Sequence, residues 1–138
     1  MIRRFAIISA SILLAAFAAA CGSHSGEAKE IKSAAVGNLT VTLANDDGVL
    51  RHGDAEFTLT FKDSSGKSVD VGSASLNFYM PAMGTMAAMN DAATLKTTST
   101  PGVYRAKAKI ETVGEWQAQV AYEGPAGAGK GTLPVTAQ

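Results

Sequence analysis

Four methionines stand three residues apart in one short segment of the chain. Met80, Met83, Met86 and Met89 are all the methionines besides the initiator, and the segment also contains a proline and a glycine. Methionines that only fill gaps in a core would be scattered through the hydrophobic runs. Because thioether sulfur is a soft ligand that prefers Cu(I) over harder cations, the cluster predicts a soft-metal site.

The four methionines are expected to differ in their roles. Met80 continues the alternation of the preceding hydrophobic strand, so its side chain is expected to point into the core. Met83, Met86 and Met89 are expected in a loop or a single turn, where the three-residue spacing brings their side chains toward one ion. Three thioethers suit Cu(I), and Ag(I) should bind equally, whereas Zn²⁺ sites are built from Cys, His and carboxylate.

Other candidates around this segment carry weaker signals. His52 is the single histidine of the predicted folded region and is a candidate ligand, although an exposed turn histidine is the alternative. The rings of Tyr79 and Trp116 could cover a soft cation. The adjacent carboxylates Asp46 and Asp47 precede a glycine and are interpreted as a hairpin turn, since further oxygen ligands for Ca²⁺ are not evident.

A different explanation of the cluster needs no metal. Methionine repacks easily and is common on adaptable binding surfaces. The segment could therefore be a flexible apolar loop that packs on the fold or on a partner protein, and the spacing by itself leaves both explanations open.

The first 20 residues predict a lipoprotein signal peptide. Arg3 and Arg4 precede an uncharged apolar run over 5–20, which is short for a membrane span. Small residues then lead into Cys21, which Gly22 follows, in a pattern that resembles the bacterial lipobox. An ordinary cleaved signal peptide beside a stray cysteine is the alternative. Because a lone cysteine cannot form an internal disulfide, acylation of Cys21 is favoured.

This leader predicts an exported protein that is lipid-anchored in the cell envelope and faces the periplasm. By resemblance to known lipoproteins, glycine after the cysteine lacks the inner-membrane retention signal, so the outer membrane is favoured. Residues 21–36 are predicted to be the lipidated cysteine and a flexible linker, because they are small, polar and charged. His24 is expected to be a solvated residue of this linker. Residues 37–138 are predicted to form one folded domain.

Charge and composition exclude two classes of function. Removal of Arg3 and Arg4 with the leader leaves 10 basic residues against 12 acidic ones, a formal charge of −2. Without a basic cluster, nucleic acid is not an expected partner. An enzyme is not expected either, since no Ser/His/Asp, metal-hydrolase or phosphate-loop pattern is present.

From residue 38 onward, apolar and polar residues alternate with a period of two. This pattern is typical of antiparallel strands with one buried face, and Gly, Pro, Asn and Asp clusters separate the strands. Trp116 is expected at the centre of the core. About seven strands in two packed sheets, an all-β sandwich, are therefore predicted, over residues 39–43, 57–62, 67–71, 74–80, 104–110, 116–122 and 133–135.

Three short motifs occur in order along this predicted sandwich. They are FYMPAMG at 78–84, TPGVYRA at 100–106 and GEWQAQV at 114–120. Together they resemble the YtkA-like domain family, which is related to the FixH-like proteins, over about 39–135. The resemblance implies an immunoglobulin-like β-sandwich that is often secreted, membrane-anchored or attached to heavy-metal efflux components. FixH-like relatives are linked to the assembly of a copper-containing oxidase.

The family pattern falls on Met80, Pro81, Met83 and Gly84 of this chain. Many members have a histidine soon after the motif, where this chain has Thr85 and then a methionine. This departure favours a site made of thioethers alone over a mixed histidine and methionine site.

The favoured interpretation is an extracytoplasmic, lipid-anchored domain that binds Cu(I) as a chaperone, buffer or efflux accessory. The expected ligands are Met83, Met86 and Met89, with Met80 and His52 as further candidates. The expected partners are the membrane, through the lipid anchor, and a copper-efflux or oxidase-assembly protein. The alternative is a metal-independent protein-interaction module in envelope or oxidase assembly.

Overall fold

The computed structural model describes residues 28–138, so the predicted signal peptide, Cys21 and His24 lie outside the described residues. Nine strands form in this part of the chain. They are β1 (Lys29–Val36), β2 (Leu39–Asn45), β3 (Gly53–Lys62), β4 (Ser73–Met80), β5 (Met89–Ala92), β6 (Thr94–Thr97), β7 (Val103–Ile110), β8 (Gly114–Gly124) and β9 (Gly127–Ala137). Within these residues, no helix is long and apolar enough to cross a membrane.

The strands form two antiparallel sheets that pack face to face. One sheet has the order β1-β2-β3-β7-β6, and the other has the order β5-β4-β8-β9. The predicted all-β sandwich is confirmed, with nine strands in place of about seven.

The core lies between the sheets and is built by the period-two alternation. Inward residues of β4 and β8 are buried, while their neighbours along each strand are exposed or half-buried. Trp116 is 1% exposed, which confirms its predicted central position. Phe57 of one sheet meets Phe78 of the other edge to face, with ring centroids 5.4 Å apart, a geometry that aromatic pairs favour.

The predicted linker 21–36 is wrong for its last eight residues, which form β1. Lys29 pairs with Asn45 and Val36 with Leu39 across an antiparallel ladder. The hydroxyl of Tyr122, in the other sheet, donates to the carbonyl oxygen of Val36 at 3.1 Å. Strand pairing uses the backbone of a neighbouring strand, so a segment with few large apolar side chains can still be ordered.

Two further differences concern short strands. The strand predicted at 67–71 is wrong, since the only pairing there is an isolated bridge between Lys62 and Ser68. The short strands β5 and β6, which the alternation did not reveal, flank Ala93, whose backbone N–H donates to the Leu76 carbonyl at 2.9 Å. At this point the chain passes from one sheet to the other.

One end of the sandwich carries the methionine segment and His52, and we call it the methionine end. It contains the start of β1, the connections 46–52 and 111–113, and the turn between β4 and β5. The ladders place these features together, since Gly53 pairs with Ile110 and Gly114 with Ala137. The opposite end contains the β1–β2 and β8–β9 turns.

Candidate functional site

The methionine segment is a β-hairpin, which we define as residues 80–89 and call the methionine hairpin. Met80 and Met89 pair at the end of the β4–β5 ladder. Met83 and Met86 form a further antiparallel bridge. Both pairs follow one register, although residues 81–82 and 87–88 between them belong to no strand.

The tip is a two-residue turn made by Gly84 and Thr85. Gly84 has a φ of +55°, whereas Thr85 has no positive φ. A two-residue loop with a positive φ at its first position alone matches the type II′ turn, whose twist suits a β-hairpin. Gly84 therefore supports the pairing of the two methionines that flank the turn.

The register divides the four methionines into two cross-strand pairs. Met80 is 2% exposed, and Met89 packs against the core beside it. Met83 and Met86 are 58% and 49% exposed. The inward orientation predicted for Met80 is thus confirmed, and a separate, solvent-facing pair of thioethers lies at the tip.

The expected convergence of Met83, Met86 and Met89 in one loop is wrong for Met89, which begins β5 and faces Met80. In an extended chain successive side chains alternate between faces, so residues three apart point to opposite sides. Directly opposed residues of a hairpin share a face. The three-residue spacing therefore produces two opposed pairs and not one row of sulfurs.

Met83 lies on the outer side of the β5-β4-β8-β9 sheet. It lines a cleft of about 630 Å³ together with Pro81, Glu115 and Gln117, which are exposed or half-buried. Trp116 also lines this cleft, and its indole N–H donates to the Thr112 carbonyl at 2.9 Å. Because Trp116 is 1% exposed, its indole belongs to the core and does not face the tip methionines on the outer side of the sheet.

His52 lies at the methionine end, immediately before β3, and its side chain is exposed. Its backbone N–H donates to the carbonyl of Gln138 at 2.9 Å. The cleft beside Met83 is lined by other residues. The structure thus brings His52 to the same end as the hairpin without placing it on the wall of that cleft.

The side chains of Asp47 and Asn45, near this end, are occupied by local contacts. Asp47 binds Arg51 at 2.7 Å, and the hydrogen bond from Arg51 lowers the pKa of the Asp47 carboxyl. The side chain of Asn45 accepts from the Gly48 N–H at 2.6 Å, which closes the predicted turn. On β5, burial raises the pKa of Asp91, and the nearby charge of Glu111 adds to this shift.

The oxygen and nitrogen ligands of the described residues are not clustered in a way that would hold a hard metal ion. Within residues 28–138, no group of three or more His, Cys, Asp or Glu side chains is arranged to hold a metal ion. The donors that the hairpin presents to solvent are the two thioether sulfurs of Met83 and Met86, which are soft ligands.

The sequence contained a signal for the pairing that was not used. The spacing is symmetric about Gly84 and Thr85. Met83 and Met86 lie equally far from that turn on its two sides, and so do Met80 and Met89. A glycine at the first position of a two-residue loop is a known hairpin signal. Reading this symmetry as a hairpin would have predicted both pairs.

Comparison with known proteins identifies the family of this chain. Neither a search of curated proteins nor a search of solved structures found a match. The sequence model of the family described as YtkA-like matches residues 33–121, from the middle of β1 into β8. This match spans the methionine hairpin and more than half of the chain, and the protein therefore belongs to the YtkA-like family.

Proposed function

We propose that this protein binds Cu(I) through the exposed methionine pair Met83 and Met86 on an extracytoplasmic, lipid-anchored domain. The observation that carries the proposal is the direct opposition of two solvent-facing thioethers at a hairpin tip. Side chains that are directly opposed in an antiparallel pair have Cβ atoms roughly 5 Å apart. Two flexible methionine side chains at that separation can hold one ion between their sulfurs.

The chemistry of this pair favours monovalent soft cations. Thioethers carry no charge and offer one soft donor each, which suits the low coordination number that Cu(I) accepts. Ag(I) is expected to bind in the same way.

The inner pair has a supporting role in this proposal. Met80 and Met89 pack against the core and hold the base of the hairpin to the sandwich. His52 is a candidate third ligand, because it is exposed at the same end. An exposed two-sulfur site releases its ion readily, which suits a chaperone, a buffer or an efflux accessory more than a permanent metal centre.

The proposal is tested by Cu(I) titration of the full mature protein in detergent against a competing chelator. Leucine keeps the size of methionine and removes the sulfur. Met83→Leu and Met86→Leu should each weaken Cu(I) binding at least tenfold, and the double variant should reduce it to background. Met80→Leu, the matched control in the core, should change the affinity less than threefold. An unchanged affinity in the double variant would overturn the proposal.

A second candidate function is supported by one separate observation. Val113 is 59% exposed and lies at the same end of the sandwich as Met83 and Met86. Exposed apolar side chains mark protein-interaction sites where they form a contiguous patch, and these three lie at one end of the sandwich. Under this alternative, capture of a partner in cells would be equal with and without copper, and the Met83→Leu, Met86→Leu double variant would retain its partner.

A further inference from the structure

The direction of β1 determines where the chain leaves the fold. Lys29 pairs with Asn45, the last residue of β2, so β1 starts at the methionine end. Lys32, three residues further along β1, lines the same cleft as Met83. Whatever precedes residue 29 therefore emerges at the methionine end and not at the opposite end.

The number of residues before β1 limits how far the methionine end can lie from a lipid anchor at Cys21. Seven residues, 22–28, separate Cys21 from β1. A fully extended chain covers at most about 3.5 Å per residue, so Cys21 and Lys29 are at most about 28 Å apart. Because 29–36 are a paired strand, they add nothing to this reach.

The same end carries the exposed apolar side chains Met83, Met86 and Val113. Its connections 46–52 and 111–113 contain three carboxylates, those of Asp46, Asp47 and Glu111. Arg51, which pairs with Asp47, is the single lysine or arginine of these connections. The start of β1 and the cleft add Lys29 and Lys32 but also Glu30 and Glu115, so acidic side chains outnumber basic ones among these residues. An anionic bilayer surface repels such an acidic rim, whereas a protein surface with basic residues around an apolar centre complements it.

We propose that the short tether holds the methionine end facing the membrane, and that its partner is an integral membrane protein of that same membrane. The tether keeps Lys29 within about 28 Å of the lipidated cysteine, and the partner exchanges Cu(I) with Met83 and Met86 at this same end of the domain. This inference rests on the proposed function and on the expected acyl anchor at Cys21.

Orientation is tested on the lipidated protein in vesicles of neutral and anionic lipid. Mass spectrometry first establishes the acyl groups on Cys21, and their absence would overturn the proposal. Val113→Cys and Pro125→Cys place a fluorescent donor just before and just after β8, which has 11 residues. At about 3.4 Å per residue these labels are roughly 35–40 Å apart.

With an acceptor on the lipid headgroups, energy transfer should be severalfold stronger from position 113 than from position 125. Equal transfer, or stronger transfer from 125, would overturn the orientation. The labels report the orientation of the domain and not metal binding. The orientation test can therefore fail while the copper titration succeeds, and the copper titration can fail while the orientation test succeeds.

The class of partner is tested by photo-crosslinking in intact cells from positions 113 and 125. We expect adducts with integral membrane proteins from 113 and none of them from 125. Adducts with lipid alone, with soluble proteins, or equally from both positions would overturn the assignment of the partner.

Discussion

Met83 and Met86 bind each other through both backbone groups at the tip of the methionine hairpin. The N–H of Met83 donates to the carbonyl of Met86 at 3.1 Å, and the N–H of Met86 donates to the carbonyl of Met83 at 2.9 Å. This reciprocal pairing fixes the two Cα positions, so only side-chain torsions must adjust when an ion binds. A site whose backbone is already in place loses less entropy on binding.

The turn that closes this pair should be sensitive to a Cβ atom. Gly84→Ala places a side chain at a φ of +55° with no atom within 4 Å to clash, so backbone strain alone should cost about 1–2 kcal/mol. We expect the altered turn to displace the methionines and weaken Cu(I) binding severalfold in the chelator competition assay.

Gly127→Ala is the matched control for this prediction. Gly127 has a φ of +104° and open space around it, but it lies at the opposite end. This variant should lose comparable stability in urea unfolding and keep full Cu(I) affinity. Equal copper affinity in the two variants would show that the Gly84 turn does not position the ligands.

Binding by thioethers alone predicts an affinity that is insensitive to acid. Thioether sulfur takes up no proton near neutral pH, whereas imidazole ligands lose metal as they are protonated at about pH 6–7. The Cu(I) affinity should therefore change less than threefold between pH 7 and pH 5 when measured against a chelator calibrated at each pH. A tenfold fall that disappears in His52→Gln would instead identify His52 as a ligand.

The buried Met80 and the exposed Met83 should differ in their contribution to the free energy of unfolding. Met80→Ala removes a buried side chain next to Gly114 and should lower the free energy of unfolding by about 2–5 kcal/mol. Met83→Ala removes an exposed side chain and should change it by less than about 0.5 kcal/mol. Urea unfolding followed by Trp116 fluorescence measures both, and equal losses would contradict the division into two pairs.

The Pro-Gly motif near β7 should be intolerant of substitution for a steric reason. A Cβ atom on Gly102 would overlap the carbonyl oxygen of Val69, and the φ of this residue is +80°. The Gly102 carbonyl also accepts from the N–H of Phe61 at 2.9 Å. Gly102→Ala should therefore cost at least about 3 kcal/mol, because backbone strain and overpacking act together.

Gly66→Ala separates these two causes. Gly66 has a similar φ of +84° but no neighbouring atom within 4 Å. Its substitution should cost only about 1–2 kcal/mol of strain. If thermal or urea unfolding gives the same loss of stability for Gly66→Ala and Gly102→Ala, the contact with Val69 does not explain the intolerance of residue 102.

Several features were predictable because they depend on neighbours along the chain. The alternation around Trp116 and Met80 predicted strands with these residues inward, and both are buried. A strand has a period of two, so the hydrophobic pattern alone indicates which face is buried. The acyl anchor at Cys21 is likewise a local motif, and it stays a prediction because it lies outside the described residues.

Other features depend on partners that are distant in sequence. Residues 29–36 become a strand because β2 offers its backbone and Tyr122, from the other sheet, holds the carbonyl of Val36. Met89 faces Met80 because the register of β4 and β5 places it there. No pattern within residues 29–36 specifies the partner of β1, since strand pairing is set by burial of the whole sheet. The turn at Gly84 and Thr85 does indicate the pairing of Met80 with Met89, but the packing of that pair against the core comes from the rest of the sandwich.

The sequence by itself determined the chemistry of this protein: soft thioether donors in a cluster, a period-two pattern, and a leader that ends at a lone cysteine. Only the tertiary structure decided that one pair of thioethers packs against the core and the other is exposed, and that the chain enters the fold at the same end. The residue types set what a site can bind. The register of the hairpin and the direction of β1 set which donors are available and where they face, because both result from pairing between strands.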